Sequence, residues 1–141
     1  MNYYASSLQS RHGHGPISSA FLHGGWYAPG GAKTNKSQIY DGTSWSTSPD
    51  GPTTTYVIAS AGPPTKILHF GGDYAPSNKG TVEWDGSSWS AEPAMSTSRP
   101  EGTKIGTQAG PTNTGILAVG PTGGTSELYN GTSWSTSVSW K

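Results

Sequence analysis

The sequence contains no cysteine, few charged residues and no long apolar run. Without cysteine the chain can form neither a disulfide nor a thiolate metal site, and it has no cysteine nucleophile. Its 8 basic and 8 acidic residues cancel to a net charge of zero, which disfavours nucleic acid and anionic membrane surfaces as partners. No stretch approaches the roughly 20 apolar residues of a membrane-spanning helix, and residues 1–10 lack the apolar core of a signal peptide. We therefore expect no signal peptide and no transmembrane segment.

Glycine and aromatic residues are abundant instead. The 141 residues include 21 Gly and 11 Pro, together with 6 Trp and 7 Tyr. Disordered chains are poor in aromatics, so this composition predicts one folded domain. No apolar period of 3.6 residues runs for three turns without a Gly or Pro, which disfavours helices. The sequence therefore predicts an all-β fold.

A short hairpin motif occurs three times, beginning at Tyr40, Trp84 and Tyr129, which are 44 and 45 positions apart. Each copy has an aromatic residue, Asp-Gly or Asn-Gly, a Thr-Ser or Ser-Ser pair, and tryptophan. Asp, Asn and Gly tolerate positive φ, so the motif predicts two strands joined by a type I′ turn. Aromatics at matched positions of a repeat usually form its core. The predicted core aromatics are Tyr40, Trp45, Trp84, Trp89, Tyr129 and Trp134.

The repetition extends beyond the hairpins. A Gly-Pro step begins at Gly15, Gly62 and Gly110, and each is followed by a short apolar segment that ends in glycine. Every unit then has four strand candidates: one before the Gly-Pro step, the apolar segment, and the two hairpin strands. Four short antiparallel strands with turns between them are typical of one propeller blade. The predicted blades are residues 1–48, 49–95 and 96–141.

An apolar strand ending in Gly-Gly, then a Tyr, then a Trp, resembles the kelch repeat of β-propeller proteins. The run Met95-Ser96-Thr97-Ser98-Arg99 looks like the kelch stretch that leads from one blade into the next. The chain departs from kelch repeats in its short Tyr-to-Trp spacing of five positions and in Gly120-Pro121, which replaces the third Gly-Gly. The version Tyr-Asp-Gly-Thr-Ser-Trp is similar to repeats of tailed-bacteriophage virion and tail-fibre proteins. This resemblance implies a virion or extracellular location.

Three blades are fewer than a propeller ring needs. Known rings close with about four to eight blades, and an unclosed array leaves apolar terminal faces. We therefore predict a homodimer in which two half-rings form six blades around a two-fold axis. The alternatives are a higher oligomer or other assembly within a larger particle, and a piece of a longer propeller.

The segments between the Gly-Gly step and the hairpin differ in length, and the two longer ones share Tyr-Ala-Pro. The ligand-binding candidates are therefore Trp26 and Tyr27 in one segment, and Asp73 and Tyr74 in the other. Aromatic faces with a carboxylate are suited to a sugar, by stacking and hydrogen bonding. The alternative is that these aromatics pack the loop onto the blade or contact a partner subunit.

No residue set indicates catalysis, a metal or a cofactor. His12 and His14 share a strand face, but zinc takes three or four ligands. No carboxylate pair stands out for glycoside hydrolysis. In the Asp box of sialidases one residue separates Asp from Gly, whereas the two are adjacent in this chain, so the similarity does not indicate a sialidase. The copper-radical oxidases of kelch architecture need a Cys-Tyr crosslink, which a chain without cysteine cannot form.

The sequence thus favours a non-enzymatic structural or binding module, such as a component of a phage virion or tail fibre. Its expected partners are a second copy of itself, other virion proteins or a surface glycan, and neither nucleic acid nor membrane. The alternative function is a small lectin-like propeller that binds glycans.

Overall fold

The computed structural model describes residues 2–4, 7–10, 19–28, 32–54, 59–63, 65–72, 78–99, 106–107, 116–119 and 125–137. These residues form thirteen strands and no helix, and every strand pairing among them is antiparallel. The predicted all-β class is therefore confirmed.

The strands form three sheets in chain order. The first sheet contains β1 (Asn2–Tyr4), β2 (Ser7–Ser10), β3 (Ala20–Ala28), β4 (Ala32–Tyr40) and β5 (Trp45–Ser48). The second contains β6 (Ala59–Ala61), β7 (Ile67–Phe70), β8 (Thr81–Trp84) and β9 (Trp89–Glu92). The third contains β10 (Gly106–Thr107), β11 (Ile116–Val119), β12 (Ser126–Tyr129) and β13 (Trp134–Thr136). Within each sheet neighbouring strands follow one another along the chain, except that β1 and β2 both pair with β3.

The hairpin motif has the same register in all three sheets, because its first aromatic pairs with its tryptophan each time. The predicted type I′ turn is wrong. Type I′ needs a positive φ at both central residues of the turn. In each motif only the glycine has a positive φ, which is 102° for Gly42, 100° for Gly86 and 101° for Gly131. A positive φ at the first central residue alone is the type II′ pattern.

The Asp or Asn of each motif stabilises its turn by accepting hydrogen bonds. Asp41 Oδ1 accepts the backbone N–H groups of Thr43 and Ser44, both at 2.8 Å. Asp85 binds the corresponding groups in the second sheet, and Asn130 does so in the third. The acidic or amide side chain is therefore selected for its acceptor oxygen rather than for its tolerance of positive φ.

The hairpin formed by β3 and β4 is longer than the equivalent hairpins, β7–β8 and β11–β12, of the other two sheets. The Gly24-Gly25 step was expected to end the apolar strand, but β3 continues through it to Ala28 and pairs with β4 beyond a register shift between His23 and Gly25. The φ angles of the two glycines, 66° and 131°, lie in the region that favours glycine, which lets the strand bend there without breaking its pairing. A segment predicted to be a loop thus continues both strands as an arm, in which β3 also pairs with β1.

The second sheet is covered on both faces. All four residues of β7 are buried, and because side chains alternate along a strand they divide between its two sides. Ile67 packs with Phe21 of the first sheet in one apolar cluster, and Phe70 packs with Tyr129 of the third sheet in another. The core therefore lies between the sheets.

Candidate functional site

The four predicted ligand-binding residues fall into two groups. Trp26 and Tyr27 lie on the extended arm of β3, where their backbones pair with Lys33 and Ala32 of β4. They also pair with β1 on the other side. Asp73 and Tyr74 lie outside the described residues, so their role in ligand binding stays a prediction.

A groove of about 370 Å³ opens on the first sheet beside the base of this arm. Phe21 and His23 face the second sheet, so Leu22 between them faces away from it. Leu22 is paired across the strands with Gln38, and Gln38 with Thr47, which places all three on the outward side. The groove is lined by Leu22, Gly24, Thr34, Lys36, Ser37, Gln38, Thr47, Ser48 and Asp50.

The groove is lined mostly by polar residue types whose charges balance, although much of the surface that they present to it is apolar. Lys36 Nζ lies 2.7 Å from Asp50 Oδ2, with side-chain exposures of 65% and 42%. An exposed pair of this kind contributes little to stability. Asp50 is the one carboxylate among the lining residues, so this groove does not hold the carboxylate pair that glycoside hydrolysis requires. Its chemistry suits hydrogen bonding to a neutral, polar binding partner.

Trp45 lies on the same outward face as the groove. It starts β5, two residues before Thr47, and successive odd positions of a strand share a face. Its ring packs at a tilt of 37° against that of Tyr40, with centroids 5.2 Å apart, yet 46% of its surface is exposed. The prediction that Trp45 is a core residue is wrong for the single chain, because none of the three described sheets packs on its outward face. We call the surface formed by Leu22, Gln38, Trp45 and Thr47 the open face.

The tryptophans equivalent to Trp45 lie between sheets. Trp89 donates its indole N–H to the carbonyl of Pro49 at 3.1 Å, and its ring lies 5.7 Å from that of Phe21 in the first sheet. Trp134 donates to Thr81 Oγ1 at 3.0 Å, and its ring lies 5.1 Å from that of Phe70 in the second sheet. Each therefore contacts the sheet that precedes its own.

The remaining predicted core aromatics differ in burial. Trp84 and Tyr129 are fully buried, at 1% and 0% exposure. Trp89 and Trp134 are half-buried and pack against the two apolar clusters, while Tyr40 is half-buried beside the exposed Trp45. The motif aromatics are thus more buried in the second and third sheets, which have a preceding sheet to pack against, than in the first.

Two buried histidines occupy the interface between the first and second sheets. His23 Nδ1 lies 2.9 Å from Ser37 Oγ, whereas neither ring nitrogen of His69 has a hydrogen-bond partner among the described residues. Burial lowers the pKa of His23 to about 4, although Asp50 acts in the opposite direction. Burial and the neighbouring His23 also lower the pKa of His69. Both side chains are therefore neutral at physiological pH. The sequence did not indicate this pair, because the two residues are not equivalent in the repeat.

A buried ion pair fixes the segment that joins the second sheet to the third. Arg99 Nη2 lies 3.2 Å from Glu127 Oε1, and both side chains are almost fully buried. Glu127 also accepts the backbone N–H groups of Ser96 at 2.7 Å and Thr97 at 3.0 Å. Burial opposes ionisation of Glu127, but these hydrogen bonds outweigh it and lower its pKa. The resemblance singled out residues 95–99, but not Glu127 as their acceptor.

Within the described ranges there is no group of three His, Cys, Asp or Glu residues that could hold a metal ion, and His12 and His14 lie outside those ranges. The described part of the chain likewise has no helix with the length and apolar character needed to cross a membrane. No protein-family model matches the chain, and no curated protein matches it.

Proposed function

We propose that the chain is half of a kelch-like β-propeller and acts as a non-enzymatic structural or binding module. The observation that carries this proposal is the repeated contact of a hairpin tryptophan with the preceding sheet, made by Trp89 and again by Trp134. Four-stranded antiparallel sheets that stack in chain order with equivalent contacts are what a propeller requires. Two chains of three such sheets would supply six blades.

Three of the six carboxylates in the described region, Asp41, Asp85 and Glu127, support a structural rather than a catalytic role. Hydrogen bonds from neighbouring turn residues hold the pKa values of Asp41 and Asp85 well below their usual range. Glu127 is engaged by Arg99 and by two backbone N–H groups. Carboxylates that are held ionised in this way cannot act as general acids near neutral pH.

The setting that we propose is the virion or tail fibre of a tailed bacteriophage. Its support is the resemblance of the Tyr-Asp-Gly-Thr-Ser-Trp motif, residues 40–45, to repeats of such proteins. In this role the propeller would be a rigid scaffold, and its longer segments would contact other virion proteins or a surface glycan.

Oligomeric mass tests the half-ring directly. We expect light scattering on the purified chain, measured across a tenfold dilution at micromolar concentration, to give twice the 14.6 kDa of one chain. A larger closed oligomer would favour the alternative assembly within a particle. A stable monomer with an intact β spectrum would contradict the proposal, because its terminal sheet faces would then need no partner.

Glycan binding is the second candidate function, and the groove beside the arm favours it. A cavity of about 370 Å³, lined mostly by polar residue types and next to the strand that carries Trp26 and Tyr27, is large enough for one sugar unit. A glycan array would test this function with the wild type, the variants Trp26→Ala and Tyr74→Ala, and Thr136→Ala as an exposed control. Binding that is lost only in the first two variants would support the lectin. Binding by all four proteins alike, or by none, would contradict it.

A further inference from the structure

We propose that the open face of the first sheet and the outer face of the third sheet bind one another between two copies of this chain. This inference rests on the proposed half-ring and identifies the surfaces that close it. Among the described residues, the large apolar side chains that remain exposed are Trp45, at 46%, and Leu128, at 40%. They mark the two ends of the stack of sheets.

The position of Leu128 follows from its neighbours on β12. Glu127 binds Arg99, and Tyr129 packs with Phe70 of the second sheet, so both flanking residues face back along the stack. Because side chains alternate along a strand, Leu128 faces away from the second sheet. We call the surface around Leu128 the outer face.

Each exposed residue has equivalents that are already in contact between sheets. Leu128 precedes the hairpin aromatic of its sheet, as Ile39 does in the first sheet, and Ile39 packs against the cluster that contains Trp84 of the second. Trp45 is equivalent to Trp134, which packs against the preceding sheet. Trp45 and Leu128 thus differ from their equivalents in having no adjacent sheet to pack against among the described residues. Trp45 needs a preceding sheet and Leu128 needs a following one, and a second copy of the chain offers both.

The groove on the open face fits the same occupant. Gln38 lines it, two positions before the hairpin aromatic, and the residue at that position in the third sheet is Glu127. Glu127 receives the linking segment of the preceding sheet, through Ser96 and Thr97. An exposed amide in the groove at this position is therefore suited to polypeptide from a preceding sheet, which in the proposed half-ring is supplied by the second copy.

Two copies satisfy both surfaces at once. Each chain has one open face and one outer face, so a head-to-tail pair makes two identical contacts related by a two-fold axis. The resulting six sheets lie within the range of known propeller rings. A single contact without closure would instead produce an open chain of copies.

Paired substitutions test which surfaces meet. Trp45→Asp and Leu128→Asp each place an unpaired carboxylate in both contacts of the dimer, so we expect each variant alone to have the mass of one chain and a dissociation constant at least about 100-fold higher. Ala94→Asp, at an exposed position between the second and third sheets, is the control and should leave the dimer intact. Circular dichroism checks that each variant keeps its β structure.

Mixing the two variants separates this proposal from other dimers. In a mixed pair, one contact joins the intact outer face of Trp45→Asp to the intact open face of Leu128→Asp, and the other contact holds both carboxylates. An equimolar mixture should therefore recover, through the intact contact, dimer that neither variant forms alone, with weaker binding than in the wild type. If the wild type is a dimer and the variants remain dimeric, or if mixing recovers none, the contact surfaces are wrong while the half-ring stands. A monomeric wild type would overturn both proposals.

A measurement on the wild type alone guards against variants that do not fold. Hydroxyl-radical footprinting at high concentration should protect Trp45 from oxidation, and dilution below the dissociation constant should raise its oxidation at least about fivefold, towards the level expected for its 46% exposure. Trp134, whose contacts lie within one chain, is the internal reference and should not change. Equal oxidation of Trp45 at both concentrations would contradict the proposal.

Discussion

The imidazole rings of His23 and His69 meet edge to face across the first and second sheets, with centroids 5.0 Å apart and planes at 84°. The ring of Trp89 contacts both histidines, with its centroid 4.5 Å from that of His23 and 5.2 Å from that of His69. Both rings are buried, and protonation of either would place a charge in an apolar interface.

Stability should therefore decrease in mild acid. The pKa of His23 is about 4 in the folded chain and 6.5 in the unfolded chain, so between these values the unfolded chain binds more protons. The stabilisation is complete above pH 6.5 and is lost progressively as the pH falls to about 4. Each histidine should add a slope of up to about 1.4 kcal/mol per pH unit to the free energy of unfolding.

Urea denaturation at a series of pH values measures this slope. The matched control is His69→Leu, which installs the residue found at the equivalent position, Leu22, in the first sheet. We expect a shallower slope in the variant between pH 6.5 and 4. Identical slopes for wild type and variant would show that carboxylates, rather than the histidine pair, cause the acid sensitivity.

The ring of His23 leaves no room for a side chain at position 51. A Cβ on Gly51 would lie 2.1 Å from His23 Cε1, so Gly51→Ala forces one of the two to move. We expect a loss of about 1–3 kcal/mol in the free energy of unfolding, as for other overpacked sites. In a double-mutant cycle with His23→Ala, the second substitution should recover part of that loss. Additive effects would mean that the backbone shifts without involving the ring.

Breaking the buried ion pair should be costly. Arg99→Met leaves Glu127 ionised in the interior without its guanidinium partner, and removing one member of such a pair costs about 3–5 kcal/mol. Glu127→Val should cost at least as much, because the N–H groups of Ser96 and Thr97 lose their acceptor as well. Lys36→Met, which breaks the exposed pair with Asp50, is the control and should cost less than about 1 kcal/mol. Similar losses for the buried and exposed pairs in denaturant titrations would contradict this account.

The hairpin turns allow a comparison between copies. Asp85→Ala removes the acceptor of the Ser87 and Ser88 N–H groups and should lower the melting temperature. Asp85→Asn should restore most of it, because Asn130 makes the same hydrogen bonds in the third sheet, at 2.9 Å to Thr132 and Ser133. If the asparagine variant melted as early as the alanine variant, the negative charge rather than the acceptor geometry would be the stabilising feature.

The strands could be predicted because the sequence repeats. The turn type, the exposure of Trp45 and the extension of β3 could not be predicted from the repeat alone. The hairpin spacing located the strand pairs because period-two alternation and the Gly punctuation are local signals. Turn type was missed because type I′ and type II′ both accept glycine. The exposure of Trp45 was missed because a repeat defines equivalent positions but not which copy lacks a neighbour. The arm that extends β3 was missed because Gly24-Gly25 resembles a strand end.

The candidate site was less predictable than the fold. The groove on the first sheet depends on Lys36 and Gln38 of β4 and on Asp50 after β5, and these three residues share no motif. The contact between His23 and His69 likewise depends on how two sheets stack, which no local pattern contains. Trp26 and Tyr27 lie on one arm of the first sheet, and the binding role predicted for them and for Asp73 and Tyr74 stays a prediction.

The double coverage of β7 bears on how the molecule comes apart. All four of its residues are buried, between a sheet that precedes it in the chain and one that follows it. Loss of either the first or the third sheet would expose to water all the β7 side chains on one face. We therefore expect the second sheet to be unstable when only one of the other two is folded. Although the chain is built from three similar units, we therefore expect it to melt in one cooperative transition instead of unit by unit.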